Sequence, residues 1–318
     1  MSNKPSRTVE EQVALLKDRG LIIKDQCLAT EWLQKVSYYR LKGYWWGMQD
    51  DTTNHHFAAG WHFEDIIERY CFDKELKIIL FHAIETIEIA LRAKLIYHMS
   101  QTYGGLWYLD PALAADANLH QQLLLHLQNE FAKSSEIFAK DYRRKHPNRL
   151  TSNQRGYQSD EDPDAWIILE VATFGELSKI YKNISHQLPA KSAIAKEFGL
   201  NLHNELSSWL EAIAYLRNII AHHSRLWSRN IVKRPALISN THRPWFDKPL
   251  SEIEKKRPFY LISSLLYLCD AVGEGLCLRK KIYCILHRYR HLPLHCIGFL
   301  PNWKKHPIWH ISIFKLLF

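Results

Sequence analysis

The segment Leu216-Arg-Asn-Ile-Ile-Ala-His-His-Ser-Arg-Leu-Trp227 sets a guanidinium, Arg217, five residues before an imidazole, His222, with Asn218 and His223 beside them. These two side-chain types suit phosphodiester chemistry. Histidine titrates near neutral pH, so it can take a proton from one oxygen and deliver it to another. Arginine stays charged, and its planar fork matches two phosphate oxygens. An Arg and a His converging on one phosphodiester can therefore cleave RNA without a metal ion: the imidazole moves the proton of the 2′-hydroxyl or of the leaving oxygen, and the guanidinium stabilises charge at phosphorus. The spacing imposes a condition. Five residues correspond to roughly 140° around an ideal helix, so the two side chains splay unless the helix bends or ends after Ala221. The same bare pattern also fits a helix-terminal histidine beside a salt-bridging arginine.

The preceding helix gives a second condition. Leu206, Leu210, Ile213, Arg217 and Ile220 recur on one face, which puts a charge on an otherwise apolar stripe. An arginine there needs a partner, supplied by another helix, a subunit interface or an anionic ligand.

The elements that position this segment are helical nearly throughout. Thr8-Val-Glu-Glu11 is a capping box that opens a helix ended by Gly20. A second helix is expected over 29–39, and the aromatic run Ser37 to Trp46 is expected to pack over the core. Apolar residues at three- and four-residue spacing from Ile67 to Leu95 predict one long helix over 64–100, with Glu88 and Arg92 as an intrahelical ion pair. Further helices are expected over 117–140, over 166–184 with an interruption at Gly175, near 190–198, over 206–221, and over 258–272 and 276–290. A mobile loop is expected over 145–164, basic at Arg143 to Arg149 and acidic at Asp160 to Asp164. Residues 231–239 alone alternate like a strand, Ser251-Glu-Ile-Glu254 is a second capping box, and 291–318 reads as an irregular basic tail. The pattern predicts an all-α bundle in a single domain over 1–318.

Composition narrows the class. With only 12 Gly and 12 Pro in 318 residues, the chain is neither linker-rich nor of low complexity. Its start has no apolar signal segment and no apolar run is long enough for a membrane span, so a cytoplasmic protein is expected. The six cysteines form no C-x-x-C pair and read as reduced core thiols. The net charge of +9 is concentrated after Glu274, where Arg279, Lys280, Lys281, Arg288, Arg290, Lys304, Lys305 and Lys315 meet no acidic residue. Interleaved with Tyr283, Tyr289, Trp303 and Trp309, these cations fit RNA as partner, although a solvated helix face would look the same. No phosphate loop, zinc-ligand spacing or nucleophile elbow is present, so neither metal nor cofactor is expected; adjacent histidines such as His55-His56 rarely ligate one ion together.

The segment Leu216 to Trp227 resembles the signature of the Abi-D/F-like abortive-infection proteins of the HEPN superfamily. Similarity extends over Lys4 to Gln12, Tyr38-Tyr-Arg-Leu-Lys-Gly-Tyr44, Phe72-Asp-Lys-Glu-Leu76, Ile84 to Arg92, Trp166 to Tyr181 and Gly298-Phe-Leu-Pro-Asn-Trp303. Thr173 stands where the family pattern suggests serine. The resemblance implies a HEPN-like helical bundle with additional N- and C-terminal helices, and a homodimer whose Arg-x4-6-His motifs meet across the two-fold axis. It also implies metal-independent endoribonuclease activity in anti-phage defence, restrained by an antitoxin RNA or protein. Arg217 and His222 match the motif's catalytic positions. Asn218, His223, Glu88 and Arg92 fall at supporting ones, with His223 expected to pack against the helix end. The alternative function is a non-catalytic RNA-binding scaffold of a defence or toxin–antitoxin system.

Overall fold

A computed structural model describes residues 6–146, 162–238 and 240–311. Helix α1 (Val9–Asp18) begins at the expected capping box: the Glu11 amide donates to the Thr8 hydroxyl at 3.2 Å, and the Thr8 amide donates to the Glu11 carboxylate at 2.8 Å. The helix expected over 29–39 is two, α2 (Gln26–Val36) and the five-residue α3 (Tyr38–Lys42), because Ser37 at φ 71° turns the chain between them. A small antiparallel hairpin follows, β1 (Gln49–Asp51) with β2 (His56–Phe57). Strands of three and two residues are too short to leave an alternating pattern in sequence.

Helix α4 (Phe63–Tyr103) has 41 residues and extends about 62 Å. Phe72, Leu76, Leu80, Ile84, Ile87, Leu91 and Leu95 form its buried stripe, as the periodicity predicts. The chain continues through α5 (Ala117–Lys133), α6 (Ile137–Lys145), α7 (Ala165–Ile168), α8 (Phe174–Asn183), α9 (Pro189–Glu197), α10 (His203–Ala221), α11 (Pro258–Ala271) and α12 (Gly275–Arg288). Helix α4 is the spine: it packs against α3 and against every helix from α7 to α12. The fold is all-α, with the β1–β2 hairpin as its minor sheet.

Four local expectations are corrected. The 117–140 helix breaks at Ser134 into α5 and α6. The interruption in 166–184 falls before Gly175, because a Thr173–Glu176 capping box starts α8 and leaves Gly175 inside its first turn. The box at Ser251 closes only a 3₁₀ turn, Glu254–Lys256. Residues 231–238 are coil rather than strand: the Ala236 amide donates to Ser208 Oγ at 2.9 Å, and its carbonyl accepts the Trp209 indole at 2.8 Å.

Residues 291–311 are irregular, as expected, yet they belong to the core. Trp303, Ile308 and Trp309 are buried, the Trp309 indole donates to Ser263 Oγ at 3.0 Å, and the Tyr283 hydroxyl donates to the Trp309 carbonyl at 2.9 Å. All six cysteines are free thiols, but only Cys269 is buried; Cys27, Cys277 and Cys284 are exposed. Most of the loop expected over 145–164 lies outside the described residues, as does Lys315. Among the described residues no helix is long and apolar enough to cross a membrane.

Candidate functional site

Helix α10 buries Leu206, Leu210, Ile213, Leu216 and Ile220, and its polar end emerges between them and solvent. The His222 amide donates to the Asn218 carbonyl at 3.0 Å, the His223 amide to Ile220 at 2.9 Å and the Ser224 amide to Ile219 at 2.8 Å. The last two bonds make a Schellman motif, in which His223 at φ 53° occupies the left-handed position that glycine usually fills. The helix therefore ends where the Arg217–His222 spacing demands. Arg217 is half-buried, while Asn218, His222 and His223 are exposed. The expected packing of His223 against the helix end does not fit its side chain, which is exposed. Among the described residues, none of these four side chains makes a hydrogen bond or ion pair.

The chain immediately after this end is held by α4. Buried Asp73 accepts the Leu226 and Trp227 amides through Oδ1, at 2.9 and 2.7 Å, and the Tyr44 hydroxyl through Oδ2 at 2.9 Å. Lys77, one turn along, lies 3.0 Å from Asp73 and donates to the Ser224 carbonyl at 3.3 Å. Arg69 donates to the Tyr44 carbonyl at 3.1 Å, with its guanidinium over the rings of Trp61 and Trp227. Such a carboxylate tolerates burial because every lone pair has a donor. The Tyr44 phenol is held well above its ordinary pKa, by burial first and by the Asp73 charge second.

Helix α3 braces the same segment from the other side. Arg40 donates to the His223 carbonyl, and Arg225 donates to the Gly43 carbonyl. A methyl group at Gly43 would lie 3.1 Å from Arg225 Cδ, so glycine permits this close approach. Burial lowers the Arg225 pKa from its ordinary value. Lys77, Arg40 and Arg225 thus surround the negative end of the α10 dipole, where cations are favoured.

Sequence reading missed the roles of Tyr44, Asp73, Lys77, Arg40 and Arg225. The one trace in the sequence is Asp73 and Lys77 as an i,i+4 pair of opposite charges, which does not by itself reveal that the pair is buried.

The other nominated residues lie apart from this end. Glu88 and Arg92 pair at 3.2 Å, and Arg92 also donates to the Leu169 and Ala172 carbonyls at 3.1 and 2.9 Å. About three to four turns of α4 separate them from Lys77, and Arg92 supports the turn before α8. In the basic segment, Arg279 corrects the expectation of an exposed cation: it is buried, bonded to both Asp270 oxygens and to the Ile308 carbonyl at 2.7 Å. A guanidinium neutralised within the core offers no charge to an outside polyanion. Arg288 pairs with Glu75 at 2.6 Å, and the same carboxylate helps push the Tyr289 phenol up to about 12, with burial as the larger cause. Lys280 and Lys281 are half-buried, whereas Arg290, Lys304 and Lys305 are exposed. No three His, Cys, Asp or Glu side chains among the described residues cluster as a metal site.

Residues 31–228 match the family model described as Abi-like protein. No curated protein and no solved structure matches the chain. The family match covers more than half of the sequence and contains the Tyr38–Tyr44 segment, Asp73, Lys77 and the whole Arg217–Trp227 end, so the chain belongs to the Abi-like protein family, a family of abortive-infection proteins.

Proposed function

We propose that this protein is a metal-independent endoribonuclease of HEPN type, acting in the cytoplasm in abortive infection, with Arg217 and His222 as its catalytic residues. One observation carries this reading. The cations packed around the end of α10, namely Arg40, Lys77 and Arg225, are all engaged with main-chain carbonyls, whereas Arg217 and His222 have no partner among the described residues. A rigidly held helix end with an unengaged guanidinium and imidazole suits an anionic substrate.

In the proposed reaction the 2′-oxygen attacks phosphorus while its proton passes to the imidazole of one protomer. The phosphorus–O5′ bond breaks, and the leaving oxygen takes a proton from the imidazolium of the second protomer. The products are a 2′,3′-cyclic phosphate and a 5′-hydroxyl. Arg217 stabilises the charge on the phosphoryl oxygens throughout. A homodimer fits this scheme because Arg217, half-buried beside the apolar stripe of α10, has no partner among the described residues of its own chain. Arg290, Lys304, Lys305, Lys280 and Lys281 supply longer-range attraction to RNA.

The deciding experiment incubates the purified protein with single-stranded RNA in EDTA and maps the ends. Cyclic-phosphate and 5′-hydroxyl ends, absent with Arg217→Ala and His222→Ala, are the expected result. Toxicity that persists in both variants at equal expression would instead favour the non-catalytic RNA-binding scaffold.

A further inference from the structure

The aromatic segment after α2 divides sharply by exposure. Tyr44 and Trp45 are buried and Tyr38 is half-buried; Tyr38 and Trp45 meet edge to face with centroids 5.2 Å apart. Tyr39 and Trp46, by contrast, are 85% and 68% exposed, the two most exposed aromatic side chains among the described residues. Packing accounts for the first group and for neither member of the second. Keeping an indole and a phenol ring in water forgoes the stabilisation their neighbours gain by burial.

Their location is specific. Arg40, next to Tyr39, donates to the His223 carbonyl, so α3 is tied to the residue that follows His222. Gly43, one turn beyond Tyr39, abuts the Arg225 side chain. Trp46 is two residues past Tyr44, which is bound to Asp73, and its carbonyl accepts from Arg69 at 3.4 Å. Both rings therefore belong to the segment that braces the Arg217–His222 end. Of the nearby cations, Arg40 is exposed and Arg217 and Arg225 are half-buried, whereas Arg69 and Lys77 are buried and engaged within the fold.

We infer that Tyr39 and Trp46 form a stacking subsite for unpaired bases of a single-stranded RNA whose phosphate is presented to Arg217 and His222. Exposed rings near solvent-accessible guanidinium groups are an arrangement by which proteins hold single strands, because each nucleotide has a base face to stack and a phosphate to neutralise. A duplex, whose bases are already stacked, gains nothing from such rings. The inference rests on the proposed ribonuclease reading for its substrate, but its rings can be tested by binding alone.

The test measures affinity by fluorescence anisotropy, using a labelled single-stranded RNA of mixed sequence and the same RNA as a duplex, with wild type and with Tyr39→Ala, Trp46→Ala, Tyr39→Phe and Trp46→Phe. Tyr97→Ala, an exposed aromatic farther along α4, serves as control. Each alanine variant is expected to bind the single strand about tenfold more weakly, with the phenylalanine variants and the control near wild type, and duplex affinity is expected to be insensitive to the rings. Alanine variants that bind the single strand as wild type does would overturn the subsite, and so would a wild type with no affinity for single-stranded RNA. Wild type that cleaves RNA while the rings prove irrelevant leaves the nuclease standing without the subsite. Ring-dependent binding with no cleavage by wild type in EDTA leaves the subsite standing without the nuclease.

Discussion

The Asp73 carboxylate accepts the Trp227 amide at 2.7 Å, joining residues 154 positions apart in the sequence. Through this bond the middle of α4 fixes the chain that leaves the Arg217–His222 end. Replacing Asp73 by alanine strips the Leu226 and Trp227 amides and the Tyr44 hydroxyl of their acceptor and leaves the Lys77 charge buried. The loss expected is about 3 kcal/mol or more in denaturant unfolding. Lys77→Met in the Asp73→Ala background should recover part of it, and strict additivity of the two changes would refute the coupling.

Arg217→Ala and His222→Ala should separate function from fold. Neither side chain has a partner among the described residues, so both variants should unfold within about 0.5 kcal/mol of wild type while losing RNA cleavage and toxicity. Arg217→Lys should also be poor, because an ammonium cannot engage two phosphate oxygens in one plane. A large loss of stability in either alanine variant would show that the residue serves the fold instead.

His223 offers a change in the opposite direction. At φ 53° a non-glycine residue carries a penalty that glycine lacks, so His223→Gly should stabilise the protein by up to about 1 kcal/mol. His223→Val should destabilise it, since a β-branched side chain tolerates that backbone least. Thermal melts of the two variants moving the same way would contradict the Schellman assignment.

Lys191 makes stability depend on alkaline pH. It is buried, donates to the Lys182 carbonyl at 2.9 Å and lies 3.1 Å from His186 Nδ1, and burial brings its pKa down from 10.5 to about 8. Between these values the unfolded chain binds the proton that the folded chain releases, so this group makes stability rise with pH from about 8 toward 10. Higher still, buried Tyr44, Tyr181 and Tyr260, whose pKa values are raised, oppose the rise. Lys191→Met should remove the upward slope in unfolding free energy between pH 8 and 10; an unchanged slope would exclude Lys191 as its source.

The basic segment should behave as two classes of cation. Arg279→Ala breaks a buried pair with Asp270 and should cost about 3 kcal/mol in stability. Changing Lys280, Lys281, Lys304 and Lys305 together to glutamine should leave stability nearly unchanged while weakening RNA binding and flattening its salt dependence. Equal salt slopes for this variant and wild type would show these lysines to be a solvated face.

Periodicity made α4 and α10 legible, because each buries a row of apolar residues at helical spacing. Breaks governed by single backbone angles were not legible: Ser37 at φ 71° divides α2 from α3, and nothing in its residue type forces that geometry. Arg217 and His222 could be read from residue chemistry together with the family resemblance, since the bare spacing fits a helix-terminal histidine equally well. The Asp73 network could not, since a carboxylate four residues before a lysine looks like any exposed ion pair until the helix is rotated against its neighbours. Arg279 shows the converse, for a run of cations in sequence does not reveal that one of them turns inward to Asp270.

The central place of α4 also sets an order in time. Apart from α3, the helices it packs against follow it in the sequence, so during synthesis its apolar stripe must wait for partners that emerge far later. Leu226 and Trp227 reach Asp73 only after α10 has been made, and α11 and α12 close over the spine later still. A nascent chain therefore has no assembled Arg–His end while most of it is still being translated, which keeps an enzyme of the proposed kind silent beside the messenger RNA and ribosome that are making it.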